Sequence, residues 1–236
     1  MSGHKLALIG MGKMGRAIAQ MAEEQGFHVV ATIDPANTAG ATISRASLNG
    51  ADVAIEFTVP GAAEANVRAC IAAQCPVVCG TTGWYDALPA VEDATRAAGG
   101  ALLVAPNFSV GVALFRRMVL EAARLVGGVE GFESHLVETH HSAKKDAPSG
   151  TAAMLASVYG EAAHAPLPVT SVRVGSVPGT HELIIDGAYE QIRLVHEARD
   201  RRVFASGALT AARWLIGRTG TFSLDDVISL PPRDLP

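Results

Sequence analysis

Residues 5–34, KLALIGMGKMGRAIAQMAEEQGFHVVATID, read as a strand, a glycine turn, a helix and a second strand that ends in an acid. Few folds accommodate that order. Leu6 to Ile9 form an apolar run short enough for a strand buried on both faces of a parallel sheet. Gly10, Gly12 and Gly15 follow as G-x-G-x-x-G, and Ile18, Met21 and Ala22 then keep helical spacing until Gly26 stops the helix. In such a turn one glycine allows the tight bend, one lets backbone N–H groups approach a pyrophosphate, and one lets helix pack closely on strand. The helix start adds partial positive charge beneath the phosphates. Asp34 closes the second strand, where a carboxylate can accept hydrogen bonds from an adenosine ribose. Glycine spacing alone is a weak signal. The full order predicts a dinucleotide cradle made of Gly10, Met11, Gly12, Lys13, Met14 and Gly15, with Asp34 at its rim.

Three further strands are expected at 52–58, 76–83 and 101–107, with alanine-rich helices between them at 62–73 and 86–98. Each strand ends in small or polar residues: Thr58, then Gly80, Thr81 and Thr82, then Ala105, Pro106, Asn107 and Phe108. In an open parallel sheet the ligand lies beyond the carboxyl ends of the strands, so these positions join the expected cofactor edge. After Gly111 the pattern changes. A long helix at 113–127 leads into strand-like segments at 131–141, 170–175, 180–187, 190–199 and around 202–207. The stretch 210–228 begins as a helix and is expected to return to the first domain. The fold class is α/β: a Rossmann-type doubly wound parallel sheet, with a second α+β domain on a mostly antiparallel sheet. The expected division is 1–110 completed by 209–236, and 111–208 as the second domain.

Charge and composition remove other classes. The net charge of −4 at pH 7 carries no basic field for nucleic acid, and no apolar run is long enough to span a bilayer. The first residues lack the apolar core and cleavage site of an export signal, so the expected location is the cytoplasm. Cys70, Cys75 and Cys79 match no usual cluster spacing and read as buried thiols.

The densest chemistry lies in THHSAKKDAPSGTA, residues 139–152. Pro148 keeps 140–148 out of a helix, and Ser149 is a good N-cap for the helix formers that follow. The amides after Ser149 form a second anion site, and His140, His141, Lys144 and Lys145 surround it. That grouping suits a small substrate with several carboxylates and a step that needs a proton. Lys145 reads as a solvated cation and Asp146 as a turn residue. Adjacent histidines among lysines make a poor zinc site, and no metal is expected.

The segment 138–152 resembles the signature of the 4-hydroxy-tetrahydrodipicolinate reductases, also called dihydrodipicolinate reductases. The resemblance extends to GMGKMGRAI (10–18), EFTVP (56–60), VVCGTTGW (77–84), APNFSVGV (105–112), VPGTHE (177–182) and WLIGRTGTFSLDDVI (214–228), nearly the whole chain in order. It implies reduction of a cyclic dicarboxylate with NADH or NADPH in diaminopimelate and lysine synthesis, by a homotetramer held through the second domain's sheet. The same resemblance makes 111–208 the substrate-binding and oligomerisation domain. It further implies that His140 is the catalytic acid/base and Lys144 the proton donor, with His141, Gly150 and Thr151 on a substrate carboxylate. Hydride would pass from nicotinamide C4 to the ring, and the enamine-like carbon would take a proton from the His140 and Lys144 side. The first loop is one residue shorter than the family's G-x-x-G-(R/K)-M-G, and Pro35 stands where many members carry a basic residue. With Asp34 before it and no cation after it, a modest NADH preference is expected.

Overall fold

The computed structural model describes residues 3–34 and 42–228. Pro35 and the part of the 209–236 segment beyond 228 lie outside the described residues. The chain divides into two compact units: the described residues of Met1–Ser109 with Phe204–Pro236, and Val110–Val203.

The first unit alternates strand and helix: β1 (His4–Ile9), α1 (Lys13–Ala22), β2 (Phe27–Ile33), β3 (Val53–Glu56), α2 (Pro60–Ala72), β4 (Val77–Cys79), α3 (Leu88–Ala97) and β5 (Ala101–Val104). Every strand pairing is parallel. Buried apolar residues from β1, β3, β4, β5 and α2 share one core, as near-continuous apolar strands require. In the second unit α4 (Val110–Val126) precedes β6 (Phe132–His140), α5 (Gly150–Ala163), β7 (Val169–Arg173), β8 (Thr180–Gly187) and β9 (Gln191–Glu197). Its sheet runs β7-β6-β8-β9. Only β6 and β7 are parallel, because α5 carries the chain back between them; β8 and β9 join by hairpin geometry. One face of this sheet, bearing Leu136, Leu183 and Ile185, packs on α4 and α5 through Phe115, Val119, Leu155 and Tyr159.

Residues 202–207, expected as strand, are the start of α6 (Arg202–Leu215). Ala205, Ala208, Ala212 and Leu215 are buried at helical spacing, and the Asp200 carboxylate accepts the Arg202 amide at 2.7 Å at the helix entrance. The β-branched and aromatic pair Val203–Phe204 was a local strand signal that helix packing overrode. The unit boundary thus falls at Phe204, inside this helix and ahead of the expected 209. Two short elements follow, β10 (Gly220–Phe222) and α7 (Leu224–Val227). β10 pairs parallel with β5 and completes the six-stranded order β10-β5-β4-β3-β1-β2. Among the described residues no helix is long and apolar enough to cross a membrane.

α6 closes on the first unit with backbone nearly touching backbone. A Cβ on Gly207 would lie 1.7 Å from the Phe108 carbonyl oxygen. Gly207→Ala should therefore destabilise the protein by about 3 kcal/mol, the upper range for overpacking, and lower Tm accordingly. An unchanged Tm would mean that α6 can move off Phe108 at no cost.

Candidate active site

The strand order changes direction around β1: β2 lies on one side and β3 on the other. A crevice opens at such a point beyond the carboxyl ends of the strands. Because all six strands are parallel, one sheet edge collects Gly10–Gly15, Asp34, Thr58, Gly80–Thr82 and Ala105–Phe108.

The three glycines of the first turn have separate tasks. Gly10 has φ +91°, and a Cβ there would sit 2.1 Å from the Phe57 carbonyl oxygen. A Cβ on Gly15 would sit 2.0 Å from the Gly10 oxygen. Both are demanded by the packing of the turn itself. Gly12, the N-cap of α1, is exposed, and its Cβ would meet nothing within 4 Å. Packing does not require that glycine, so the open approach to the helix amides is the feature that fits a pyrophosphate. Lys13 is exposed, while Met11 and Met14 are half-buried.

Beneath the edge lies a residue to which the sequence reading assigned no role. Glu56, fully buried at the end of β3, accepts hydrogen bonds from Thr81 Oγ1 (2.7 Å), Cys79 Sγ (3.2 Å), Asn66 Nδ2 (3.2 Å) and Thr58 Oγ1. Thr81 Oγ1 also accepts the Thr58 amide at 2.8 Å, so one carboxylate locks the loops after β3 and β4 together. Burial and the neighbouring Glu56 charge push the Cys79 thiol far above its usual range, which makes it an inert donor. The Phe57 ring fills the space that a side chain on Gly80 would need and packs edge-on against Phe108 at 5.7 Å. Ala105 and Phe108 are buried in the fold; Pro106 is exposed, Asn107 and Gly80 are half-buried, and Thr82 is exposed.

The second cluster is built on the inner face of the other sheet. Alternation along β6 puts Glu138 and His140 on one side, and the register places Arg173 of β7 beside His140 and His181 of β8 beside Glu138. Glu138 is 0 % exposed and His140 8 %. His140 Nδ1 and Glu138 Oε2 share a hydrogen bond. The other oxygen, Oε1, accepts Arg173 Nη2 at 2.7 Å and the Ser149 amide at 3.3 Å. Arg173 Nη2 also donates to the Asp146 carbonyl at 2.6 Å, which ties the loop to the sheet. Ser149 caps α5 by accepting the Ala152 amide at 3.2 Å. The His181 ring stands edge-on to His140 at 5.3 Å, with Nε2 3.5 Å from Ser149 Oγ.

Burial alone would raise the Glu138 pKa, but hydrogen bonds from Arg173, Ser171 and His140 outweigh it and hold the carboxyl at about 2. His140 is pushed below its ordinary value, first by burial and then by the Lys144 and Arg173 cations, against the opposing pull of Glu138. Burial and the neighbouring His140 and His196 bring His181 to about 4. The imidazole of His140 is therefore neutral at neutral pH, its Nδ1 proton held by Glu138 and its Nε2 lone pair available. Ligand atoms of Glu138, His140 and His181 lie within 4.8 Å of one another, yet Glu138 is already shared by Arg173 and His140, a poor setting for a cation.

The loop from β6 to α5 carries the remaining expected residues. His141 is half-buried and Lys145 exposed. Lys144 Nζ contacts both carboxylate oxygens of Asp146, at 2.8 and 2.9 Å. That carboxylate also accepts the Gly150 amide, and with Lys144 this holds Asp146 below the usual carboxylate range. Asp146, read as a turn residue, thus lies at the Gly150 amide, one of the groups expected to hold a ligand's carboxylate. Gly150 is exposed, with nothing within 4 Å of a would-be Cβ, and Thr151 is half-buried beside it.

Comparison with known proteins gives one family across both units. The description "Dihydrodipicolinate reductase, N-terminus" matches residues 4–108, and "Dihydrodipicolinate reductase, C-terminus" matches 111–228. The 4-hydroxy-tetrahydrodipicolinate reductase of Christiangramia forsetii is 34% identical over 238 residues, covering 95% of this chain and 97% of that one. The enzyme of the same name from Haloarcula marismortui is 37% identical over 246 residues, covering 92% and 95%. Among solved structures, dipicolinate-bound dihydrodipicolinate reductase from Paenisporosarcina sp. TG-14 superposes with a TM-score of 0.81. That match covers 96% of this chain and 100% of the other at 21% identity, a likeness of fold.

Proposed function

The chain belongs to the dihydrodipicolinate reductase family, and from that premise we propose which of its residues carry the reaction. The protein is a pyridine-nucleotide-dependent oxidoreductase of diaminopimelate and lysine biosynthesis, reducing 4-hydroxy-tetrahydrodipicolinate to tetrahydrodipicolinate. The glycine edge with Asp34, Gly80–Thr82 and Ala105–Phe108 would hold the dinucleotide, which supplies hydride to the substrate ring when bound. Exposed Gly12 at the helix start supports that placement.

The observation that carries the catalytic assignment is the neutral, Glu138-tethered His140 at the mouth of the loop that bears Lys144. Lys144, a cation, donates the proton to the ring carbon opposite the hydride. His140, with Nε2 free to accept, serves as the acid/base that exchanges that proton. His141 and the amides of Gly150 and Thr151 bind a substrate carboxylate, which displaces the Asp146 side chain from the Gly150 amide. Oxidation of NADH or NADPH with 4-hydroxy-tetrahydrodipicolinate generated in situ tests the reaction. No oxidation with either cofactor would reject it.

Asp34 decides the choice of cofactor in this reading. A carboxylate at the end of β2 favours a ribose 2′-OH and repels a 2′-phosphate, and Lys13 is the only other charged residue of the glycine loop. A modestly higher kcat/KM is expected with NADH. A kcat/KM for NADPH about tenfold higher or more, roughly 1.4 kcal/mol the other way, would show that Asp34 does not read the ribose.

The outer face of the second sheet supports a homotetramer. Val172 and Val195 are exposed there, in register with Thr139 and Glu182, on the face that also carries Val137 and Ile184, while the core helices pack on the opposite face. Light scattering at micromolar concentration should give four chains per particle. A cytoplasmic location suits the biosynthetic role of the relatives.

A further inference from the structure

Glu138 is fully buried and Arg173, its ion-pair partner, keeps only 18% of its side chain exposed; the pair touches no expected substrate group, yet it contacts three parts of the site at once. Its carboxylate meets the His140 ring through one oxygen and the Arg173 guanidinium and Ser149 amide through the other. The guanidinium in turn holds the Asp146 carbonyl of the catalytic loop at 2.6 Å. Buried ion pairs seldom add net stability over apolar packing, so their presence at a site calls for another reason. We propose that Glu138 and Arg173 are positioning residues: Glu138 fixes the tautomer and proton affinity of His140, and the same carboxylate ties that ring to the start of α5, where the substrate carboxylate binds. This rests on His140 being the acid/base assigned above.

Geometry supports the tautomer. Glu138 Oε2 is an acceptor facing Nδ1, so the proton sits on Nδ1 and Nε2 faces away from the ion pair. A Cβ on Gly179 would lie 3.0 Å from Nε2, so glycine there leaves that nitrogen unobstructed. A ring free to flip would present the wrong nitrogen half the time, and one tied down at Nδ1 cannot. Arg173 keeps Glu138 ionised, and an ionised Glu138 is what makes the tether strong.

The alternative is that the pair merely staples loop to sheet, and the two cases give opposite signs on titration. The charged and titratable groups around His140 are Glu138 on its own strand, Arg173 on β7, His181 on β8 with His196 of β9 beyond it, and the loop's Lys144 with Asp146. Of these, Glu138 alone favours the imidazolium directly; burial, Arg173 and Lys144 oppose it. Removing the Glu138 charge should therefore lower the proton affinity of His140 further, by about tenfold. Simple loosening of the site would expose the ring and raise its affinity toward the ordinary histidine value.

The test is an NMR titration of the His140 imidazole in the intact enzyme, with the signal identified by its loss in His140→Ala. In Glu138→Gln the midpoint should move to lower pH, and kcat should fall about tenfold or more with the KM for reduced dinucleotide unchanged. Glu138→Asp keeps the charge but withdraws it by one methylene, so it should give a smaller shift in the same direction and partial recovery of kcat. It also provides the measurement if the glutamine variant fails to fold. Arg173→Gln should raise the midpoint, whereas Arg173→Lys should hold it near the parent value. A midpoint that is unmoved or raised in both Glu138 variants overturns the proposal, as does normal kcat in Glu138→Gln. If His140→Ala itself kept normal kcat, the failure would lie with the assignment of His140 instead.

Discussion

Alanine at His140 or at Lys144 lowers kcat by about a hundredfold or more, the usual size of a general acid–base contribution. His140 is positioned for this by its strand. Two residues after Glu138 on β6, it lies on the same face and is held through Nδ1, with its pKa below the ordinary histidine value. Lys144 lies in the loop that follows, with its ammonium paired to Asp146 and its side chain only 22% exposed. Losing either group removes one step of proton delivery but leaves the glycine edge intact, because that edge is built wholly from residues of the other unit. Affinity for NADH, measured by fluorescence titration, should be the same in both variants and the parent. Steady-state kcat near the parent value in both would dismiss this loop as the proton source.

Valine at Gly150 raises KM for the dicarboxylate by about tenfold or more, equivalent to one charge-assisted hydrogen bond. Gly150 is the first residue of α5, directly after the Ser149 cap, so its amide has no partner within the helix. In the structure that amide already meets a carboxylate, that of Asp146. The space around a would-be Cβ is open, so valine clashes with nothing in the protein and Tm should hardly change. The branched side chain would instead stand where a substrate carboxylate approaches. Pyridine-2,6-dicarboxylate should compete with substrate on the parent enzyme and bind the variant more weakly, with NADH present in both titrations. Equal affinity for the two proteins would remove this helix start from the site.

Much of this was legible in the chain because the signals are local. Gly10, Gly12 and Gly15 announce a turn through spacing alone, and the structure gives the physical reason for each: a left-handed φ, an open approach and a backbone contact. Ser149 behind Pro148 announces a capped helix, and it caps one. The less legible parts involve partners far apart in sequence. Glu56 stood inside EFTVP and Glu138 inside the loop signature, yet nothing nearby suggests Thr81, 25 residues on, or Arg173, 35 residues on, as their partners. A buried acid is visible in sequence only as an acid. The strand–helix error at 202–207 has the same origin, since Val203 and Phe204 favour either state and burial of Ala205, Ala208 and Ala212 decided between them.

By itself the sequence determined the parallel first sheet, the second sheet, the histidine- and lysine-bearing loop and the Ser149-capped start of α5. Each follows from periodicity, glycine placement or capping within a few residues, where backbone sterics leave few choices. The tertiary structure alone decided that β10 completes the sheet, since three residues are too few to carry a periodic signal. It also decided that Asp146 pairs with Lys144 and lies at the Gly150 amide, and that Glu138 faces Arg173. Those pairings depend on the register of β6 against β7 and on the path of the loop between β6 and α5, which are set by burial of Leu136, Leu155 and Leu183 in a common core. Register is a property of strands meeting, and no stretch of one strand contains it.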